Sequence, residues 1–573
     1  MTLLPAWRPA ELPHPPAYSL LNALRVIGPG ALLLGLSLGS GDWLLGPVVV
    51  TRHGPALLWV CTASVLLQAA LNAEMARYTL ATGEPIWSGF LRTRPGPGFW
   101  AWTYSGLHLA QLAWPGWALA GGVSAAAIFL GRAPRDEDRA VVLALGYLVF
   151  AAAIGATVLG RRGQDTLWRA DRFFLAATLV YLALLAWLLV PWPAWRAVAR
   201  GFVAPVGGEA PPPGDLDWPL LAAFAAYSGA GGVVNASLTH WLRDKGFGMA
   251  SIASGAPVQI AGHHLHLVSE GARAEPSPEN LDKWRQWWRF LGLHLGVLWV
   301  VGPLVAMALP VLLTAWFVPR GANALGNAAP VALARGLLET GDLWLWFPTL
   351  VAGFWIFFST QRGVAEGFSR SVTEMLWAGS DRARSWAGER ATRLYHGVLA
   401  VFTISGALAL LLGDPLRLIL IGANVGALGM VILSAHTLVA NRALLPRALR
   451  PAPWREAGVV ACGLFFAWLV ARSMARSLRD LRQGALAVAQ YGLPQAVARL
   501  RDPAVSSQLS PAGVAMQTAE PLPVRSKDEF GQVTEAFNAV HPEAVRTAAE
   551  QAALRASVAT MFVNLARRSQ ILV

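Results

Sequence analysis

The chain has 573 residues, 55% hydrophobic and only 14% charged, with a mean hydropathy of +0.45. Soluble domains carry about a quarter charged residues, so this balance excludes a large soluble enzyme and favours a membrane protein. The net charge of +13 rests almost wholly on Arg, in short loops between apolar runs rather than on one soluble face, so no nucleic-acid partner is expected.

Residues 1–20 form a Pro-rich polar tail with no cleavable leader pattern, and the first apolar run leads straight into a span. An apolar run of about 18 residues or more crosses about 30 Å of hydrocarbon as a helix. Eleven such runs are read: 26–50, 56–80, 100–130, 139–160, 173–191, 219–241, 290–316, 343–361, 394–412, 416–440 and 457–473. The fold class expected is all-α, a polytopic membrane helix bundle. The 26 Trp suit membrane–water interfaces. Arg clusters follow the even-numbered spans, for example Arg161, Arg162, Arg169 and Arg172 after the fourth. The positive-inside rule then places the N-terminus in the cytoplasm and the chain in the inner (plasma) membrane. Cys61 and Cys462 lie inside apolar runs with no CxxC or Cys/His cluster, so buried core thiols are expected and no zinc site or disulfide.

The first span contains Gly39-Ser40-Gly41 near its middle, followed by Asp42, its one carboxylate. A helix break frees backbone groups that lipid cannot satisfy, and such breaks persist where they line a cavity that binds substrate or ion. Small residues for close helix packing, with Asp42 as a cap, are the alternative. The sixth span repeats the pattern at Ser228-Gly-Ala-Gly231-Gly232, with Asn235 beyond it. Spans one and six are five apart, the offset of corresponding helices in a five-plus-five inverted repeat. Asp42 and Asn235 are the candidate metal ligands. Gly39, Ser40, Gly41, Ser228, Gly231 and Gly232 complete the candidate substrate or ion site. Gln68, Asn72, Glu74, His108, Gln111 and Asn424 are expected as interhelical hydrogen bonders, with Glu74 pairing to Arg77. His263, His264 and His266, in the stretch 243–285, could be a metal cluster. A wet surface loop is preferred there, since no carboxylate or Cys sits at ligand spacing.

Gly28-Pro-Gly, Gly39-Ser-Gly-Asp-Trp43, Leu57-Leu-Trp-Val60, Leu66-Leu-Gln68, Thr82-Gly83 and Ser359-Thr-Gln-Arg-Gly-Val-Ala-Glu-Gly-Phe368 resemble the natural resistance-associated macrophage protein (Nramp) family of divalent metal transporters, of the LeuT-type fold. The resemblance covers about residues 20–465. It implies a secondary transporter working by alternating access, with a small cation as substrate and a proton or sodium ion coupled to it. Two departures mark the chain as divergent. Gly39, Ser40, Gly41 and Asp42 stand where the family has Asp-Pro-Gly-Asn, and the metal-binding Met of the sixth helix is absent around Gly232–Asn235. A thioether selects soft transition metals, so a hard cation or a non-metal substrate fits these residues better.

Beyond Arg472 the composition changes. Met474, Leu478, Leu481, Ala485 and Val488 form one heptad seam, and a second runs from Val533 through Leu554 and Val558 to Leu565. Asp528-Glu529-Phe530-Gly531 opens the second helix, and the arrangement resembles a HAMP domain with the signalling helix of actinobacterial nitrate/nitrite-sensing histidine kinases. The expected divisions are the tail 1–20, a transporter bundle 21–456, a last span 457–473, a HAMP-like domain 474–546 and a truncated signalling helix 547–573. The HAMP and coiled-coil helices imply a homodimer. No ATP-binding kinase domain follows, so neither enzymatic activity nor a cofactor is expected. Eleven spans from a cytoplasmic start leave the tail outside, whereas HAMP helices work inside. A fused kinase pre-HAMP span, or one run that does not cross, would resolve the conflict. The alternative function is a transporter-like receptor, or a sensor-kinase fragment, signalling through the HAMP helices.

Overall fold

The computed structural model of the chain describes residues 4–17, 19, 22, 41–159, 161–203, 216–253, 258–260, 263–265, 271–321, 329–339, 341 and 343–487, with scattered residues between 547 and 568. It divides into two units, residues 1–470 and 471–573.

The first unit is a helical bundle with one extended apolar core. Eight helical stretches among the described residues are long and apolar enough to cross a bilayer: Pro97–Leu130, Asp136–Thr157, Thr166–Leu189, Trp218–Asp244, Pro278–Phe317, Ala391–Leu410, Pro415–Leu444 and Pro453–Ala475. They correspond to spans three to seven and nine to eleven. The described part of the first span, Gly41–Leu57, meets the second span, Trp59–Thr82, at 99°. The eighth apolar run lies in the 37-residue helix Leu343–Gly379, which packs against the third, fourth and ninth spans. The chain is therefore a multi-pass membrane protein of helical-bundle architecture.

Local sequence explains the ends and close crossings. Asp217 caps the sixth span by accepting from the Leu220 N–H at 3.1 Å, with Pro219 in the first turn, where a missing N–H costs nothing. Gly83, at φ 73°, closes the second span by donating to the Thr79 carbonyl. The third and fourth spans touch through Gly122 and Gly146: a Cβ on Gly122 would stand 2.5 Å from the Gly146 nitrogen. Exposed Trp187 and Trp316 lie at the ends of the fifth and seventh spans, and Trp344 at the start of the eighth helix. Exposed Trp102 and Trp454 lie near the starts of spans three and eleven. Alternating helices put these two groups at opposite ends of the bundle, as two interfacial belts require.

The N-terminal tail is packed in place. β1 (Arg8–Ala10) pairs in parallel with a strand of the loop between spans six and seven, Ala272–Ala274, and Leu12 is buried. In the same loop β2 (Val258–Ile260) pairs with β3 (His263–Leu265), so His263 and His264 belong to a small hairpin; His266 lies outside the described residues. In the second unit the described residues 560–568 are helical, with Leu554, Val558, Met561 and Leu565 exposed.

Candidate functional site

The sixth span is interrupted at mid-length. Its first half ends at Tyr227, Ser228–Gly231 are non-helical, a 3-10 turn covers Gly232–Ala236, and helix resumes over Ser237–Asp244. Gly231 (φ 70°) and Gly232 (φ 52°) adopt the left-handed region that disfavours side chains. Space demands glycine as well: a Cβ on Gly229 would lie 2.6 Å from Gln68 Oε1, and one on Gly232 would lie 2.1 Å from Gln111 Oε1. The small residues thus serve both the break and close packing.

Two glutamines take over the backbone groups the break releases. Gln111, from the third span, donates to the Gly231 carbonyl (3.1 Å) and accepts from the Val233 N–H (3.0 Å). Gln68, from the second, donates to the Ala225 and Ala226 carbonyls (both 3.2 Å) and accepts from the Gly231 N–H (3.2 Å). Both are buried. In hydrocarbon an unsatisfied peptide group costs several kcal/mol, roughly, and these two side chains remove that cost.

Gly39 and Ser40 lie outside the described residues. Gly41 opens a π turn, Gly41–Leu45, and its backbone presses on the sixth span: a Cβ there would fall 1.7 Å from the Tyr227 carbonyl oxygen. Asp42 is fully buried, and neither carboxylate oxygen has a hydrogen-bond partner among the described residues. Cys61, on the second span, lies within electrostatic reach of it. Ser228 donates to the Phe224 carbonyl at 2.6 Å. Asn235 sits at another level, against Gln68, Gly232 and Met430. Cys61 and Gln68 are two turns apart on one helix, about 10 Å of rise. Asp42 and Asn235 therefore mark two levels of one polar interior. A small cavity of about 20 Å³, enough for one water, lies along the break between Tyr227, Gly229, Ala230, Val234, Trp117 and Thr360.

The other polar membrane residues mostly find partners. Glu74 pairs with Arg77 at 2.6 Å, His108 bonds the Tyr104 carbonyl at 2.7 Å, and Asn424 donates to the Pro219 carbonyl at 3.0 Å. Asn72 is the exception, with neither amide atom partnered among the described residues. No group of three or more His, Cys, Asp and Glu residues able to hold a metal ion occurs among the described residues.

Two buried charge clusters went unread in the sequence. Arg243, at the end of the sixth span, makes a two-pronged pair with Glu374 (2.9 and 3.1 Å); His240 joins it at 3.1 Å and Arg370 at 3.4 Å. Glu374 lies beyond the apolar run 343–361 of its helix. Burial alone would raise its carboxyl, but Arg243, His240 and Arg370 outweigh that and hold it well below the usual carboxylate range. Arg362, on the same helix just past that run, is buried against Asp171 and Glu366. Each cluster contains an i,i+4 pair on the long eighth helix, Arg362–Glu366 and Arg370–Glu374, but Asp171, His240 and Arg243 come from other segments and have no linear motif linking them to it.

An interrupted span, a second segment pressed against it and a polar interior between them define a membrane protein of transporter fold. Solved structures agree. The chain is similar to the Eremococcus coleocola manganese transporter in a histidine-to-alanine variant (TM-score 0.52), and in complex with an aromatic bis-isothiourea substituted compound (TM-score 0.51). In each case identity is 13%, covering 95% of this chain and 97% of the other. A family model described as "HAMP domain" matches residues 469–541. This match contains Asp528, Glu529 and Gly531, which lie outside the described residues. No curated protein sequence matches the chain.

Proposed function

We propose that the bundle is a secondary transporter of a divalent cation, working by alternating access and coupled to a proton or sodium ion. The cation path runs from Asp42 and the backbone of Gly39–Gly41, past Ser228, Gly231 and Gly232, to Asn235. The observation that carries the reading is the close approach of Gly41 to the Tyr227 carbonyl beside Asp42, which is buried and without a partner among the described residues. An intramembrane carboxylate held without a partner is a functional site by default, because only a function offsets its cost. The fold shared with a manganese transporter supports the cation class.

The proposed divisions are the tail 1–20, bundle 21–456, last span 457–473, HAMP-like domain 474–546 and signalling helix 547–573, with the N-terminus in the cytoplasm of a plasma membrane. The test is uptake into proteoliposomes by the full chain. Asp42→Ala abolishes uptake; unchanged uptake removes Asp42 from the path.

A receptor reading is favoured by one observation, the HAMP match that begins at residue 469, in the last turns of the last span. On it, ligand-driven helix shifts act on a HAMP dimer. Cysteine crosslinking at Leu554 in the presence and absence of Mn²⁺ separates the two: a ligand-dependent yield favours the receptor, a constant yield the transporter.

A further inference from the structure

The closing turns of the second span, the early part of the seventh and the opening turn of the eleventh meet at one end of the bundle. Glu74 faces two guanidinium groups there. Arg77 holds it in a two-pronged pair (2.6 and 3.3 Å) and directs its remaining nitrogen to the Leu449 carbonyl at 3.1 Å. Arg455 lies 3.7 Å from the same carboxylate, too far for a hydrogen bond. Its guanidinium carbon stands 4.5 Å from the ring centre of Trp288 and 4.4 Å from that of Trp454, and Arg77 stacks on Trp288 as well, at 4.6 Å. Glu456, next in sequence, is engaged by Arg442 at 2.9 Å. Arg285 and Arg289, on the helix of Trp288, are exposed and make no ion pair among the described residues. One buried carboxylate therefore serves two arginines, and the patch keeps an excess of positive charge.

We propose that this patch binds the headgroup of an anionic phospholipid, with Arg455 on its phosphate. Stacking occupies the faces of a guanidinium and leaves the N–H groups at its edge, which lie in one plane and match two phosphate oxygens. The Arg455 side chain is 29% exposed, so that edge is open to a ligand, and the two indoles hold it in place beforehand. The depth is that of a headgroup, since Trp454 is exposed at the start of a span. A lane for an acyl chain continues from it: Trp454, Ala457, Ala461 and Leu464 are exposed at spacings of three, four and three along one face of the eleventh span. That lane favours a lipid over a soluble phosphate. A choline headgroup would bring its own cation to aromatic rings that arginines already cover, so the patch selects an anionic headgroup over a zwitterionic one.

The test is native mass spectrometry of the full-length protein titrated with phosphatidylglycerol and with phosphatidylcholine, in roughly 0.2 M ammonium acetate so that exposed charges are screened. The wild type retains one phosphatidylglycerol at least ~10-fold more tightly than phosphatidylcholine. Arg455→Gln weakens that retention at least ~5-fold. Arg382→Gln removes an exposed arginine with no ion pair among the described residues, and changes it less than ~2-fold, as a screened surface charge should. Should Arg455→Gln fail to fold, Trp454→Leu, at an exposed position, decides: loss of the stacked ring weakens retention at least ~3-fold, and no loss overturns the site. Equal retention of the two lipids by the wild type, or equal losses in Arg455→Gln and Arg382→Gln, also overturns it. Displacement of the lipid by sn-glycerol 3-phosphate would assign the patch to a soluble phosphate and overturn the lipid assignment.

Discussion

Replacing Gln111 by Met tests whether the sixth-span break is held by a side chain from a neighbouring helix. Methionine nearly matches the volume, so the cavity contribution is small. What is lost is the pair of hydrogen bonds to Gly231 and Val233. Leaving a buried donor and a buried acceptor unmade costs about 1–3 kcal/mol each, roughly 2–6 together. Interhelical bonds measured in membranes average only about 0.6 kcal/mol, because freed groups usually find other partners. Here relief is restricted. The Gln111 amide stands against Gly232, Gly426 and Gly429, which offer no replacement side chain, and the Tyr227 hydroxyl close by can take up only part of the loss. The upper part of the measured membrane range then applies to each bond, and the expected loss is about 2–4 kcal/mol. Equilibrium unfolding in mixed micelles measures it, with Gln286→Met as control. Gln286 makes one exposed bond, to Asp282, so its loss stays within about 0.5 kcal/mol. If the two variants unfold alike, the break satisfies its own backbone and the clamp does not exist.

Arg243→Met or Glu374→Gln alone leaves a buried charge without its main partner and costs about 3–5 kcal/mol, whereas the double variant loses less than the sum; additive losses in a double-mutant cycle would deny the pairing. Because the Glu374 carboxyl is held low in the fold, its contribution is complete above the unfolded carboxylate pKa of about 4.3 and disappears only as pH falls through the lower folded value. The stability gap between wild type and Glu374→Gln is therefore flat from about pH 8 to 5, and a gap that closes near pH 6 contradicts the assignment. In the tail, Leu554, Val558, Met561 and Leu565 expose a heptad seam, so Leu554→Cys crosslinks to a second copy under mild oxidation; a monomer on non-reducing gels rules out the dimer.

The sequence revealed what hydrocarbon imposes and missed what tertiary contact decides. Span lengths were readable because each run must cross the bilayer alone. The break at Ser228–Gly232 was readable because small residues clustered where a helix should be strongest. The partners of the break were not. Gln68 and Gln111 were expected to bond between helices, but nothing in their own segments says that both grip the backbone of the sixth span. Met430 sits fifteen residues into an ordinary apolar helix and gains meaning only from standing against Asn235. The strand Arg8–Ala10 was invisible for another reason: three residues carry no period, and their partner lies more than 260 residues away.

Both halves of the sixth span lie along the second span, and each is fastened in addition to a further neighbour of its own. Trp218–Tyr227 lies along the tenth span, where Asn424 donates to the Pro219 carbonyl. Ser237–Asp244 is tied to the long eighth helix through the Arg243–Glu374 pair. Between them stand Gly231 and Gly232, the two positions in the span whose backbone occupies the left-handed region. A movement of the second span alone would carry both halves together and leave the geometry of the break unchanged. With separate attachments, a displacement of the eighth helix against the tenth is delivered to the joint, where a few dihedrals absorb it. The glutamines reach the joint from the second and third spans, so the groups that would meet a cation stand where relative motion of the halves concentrates. The proposed alternating access would draw on these additional attachments, which a continuous sixth helix would not convert into bending at the break.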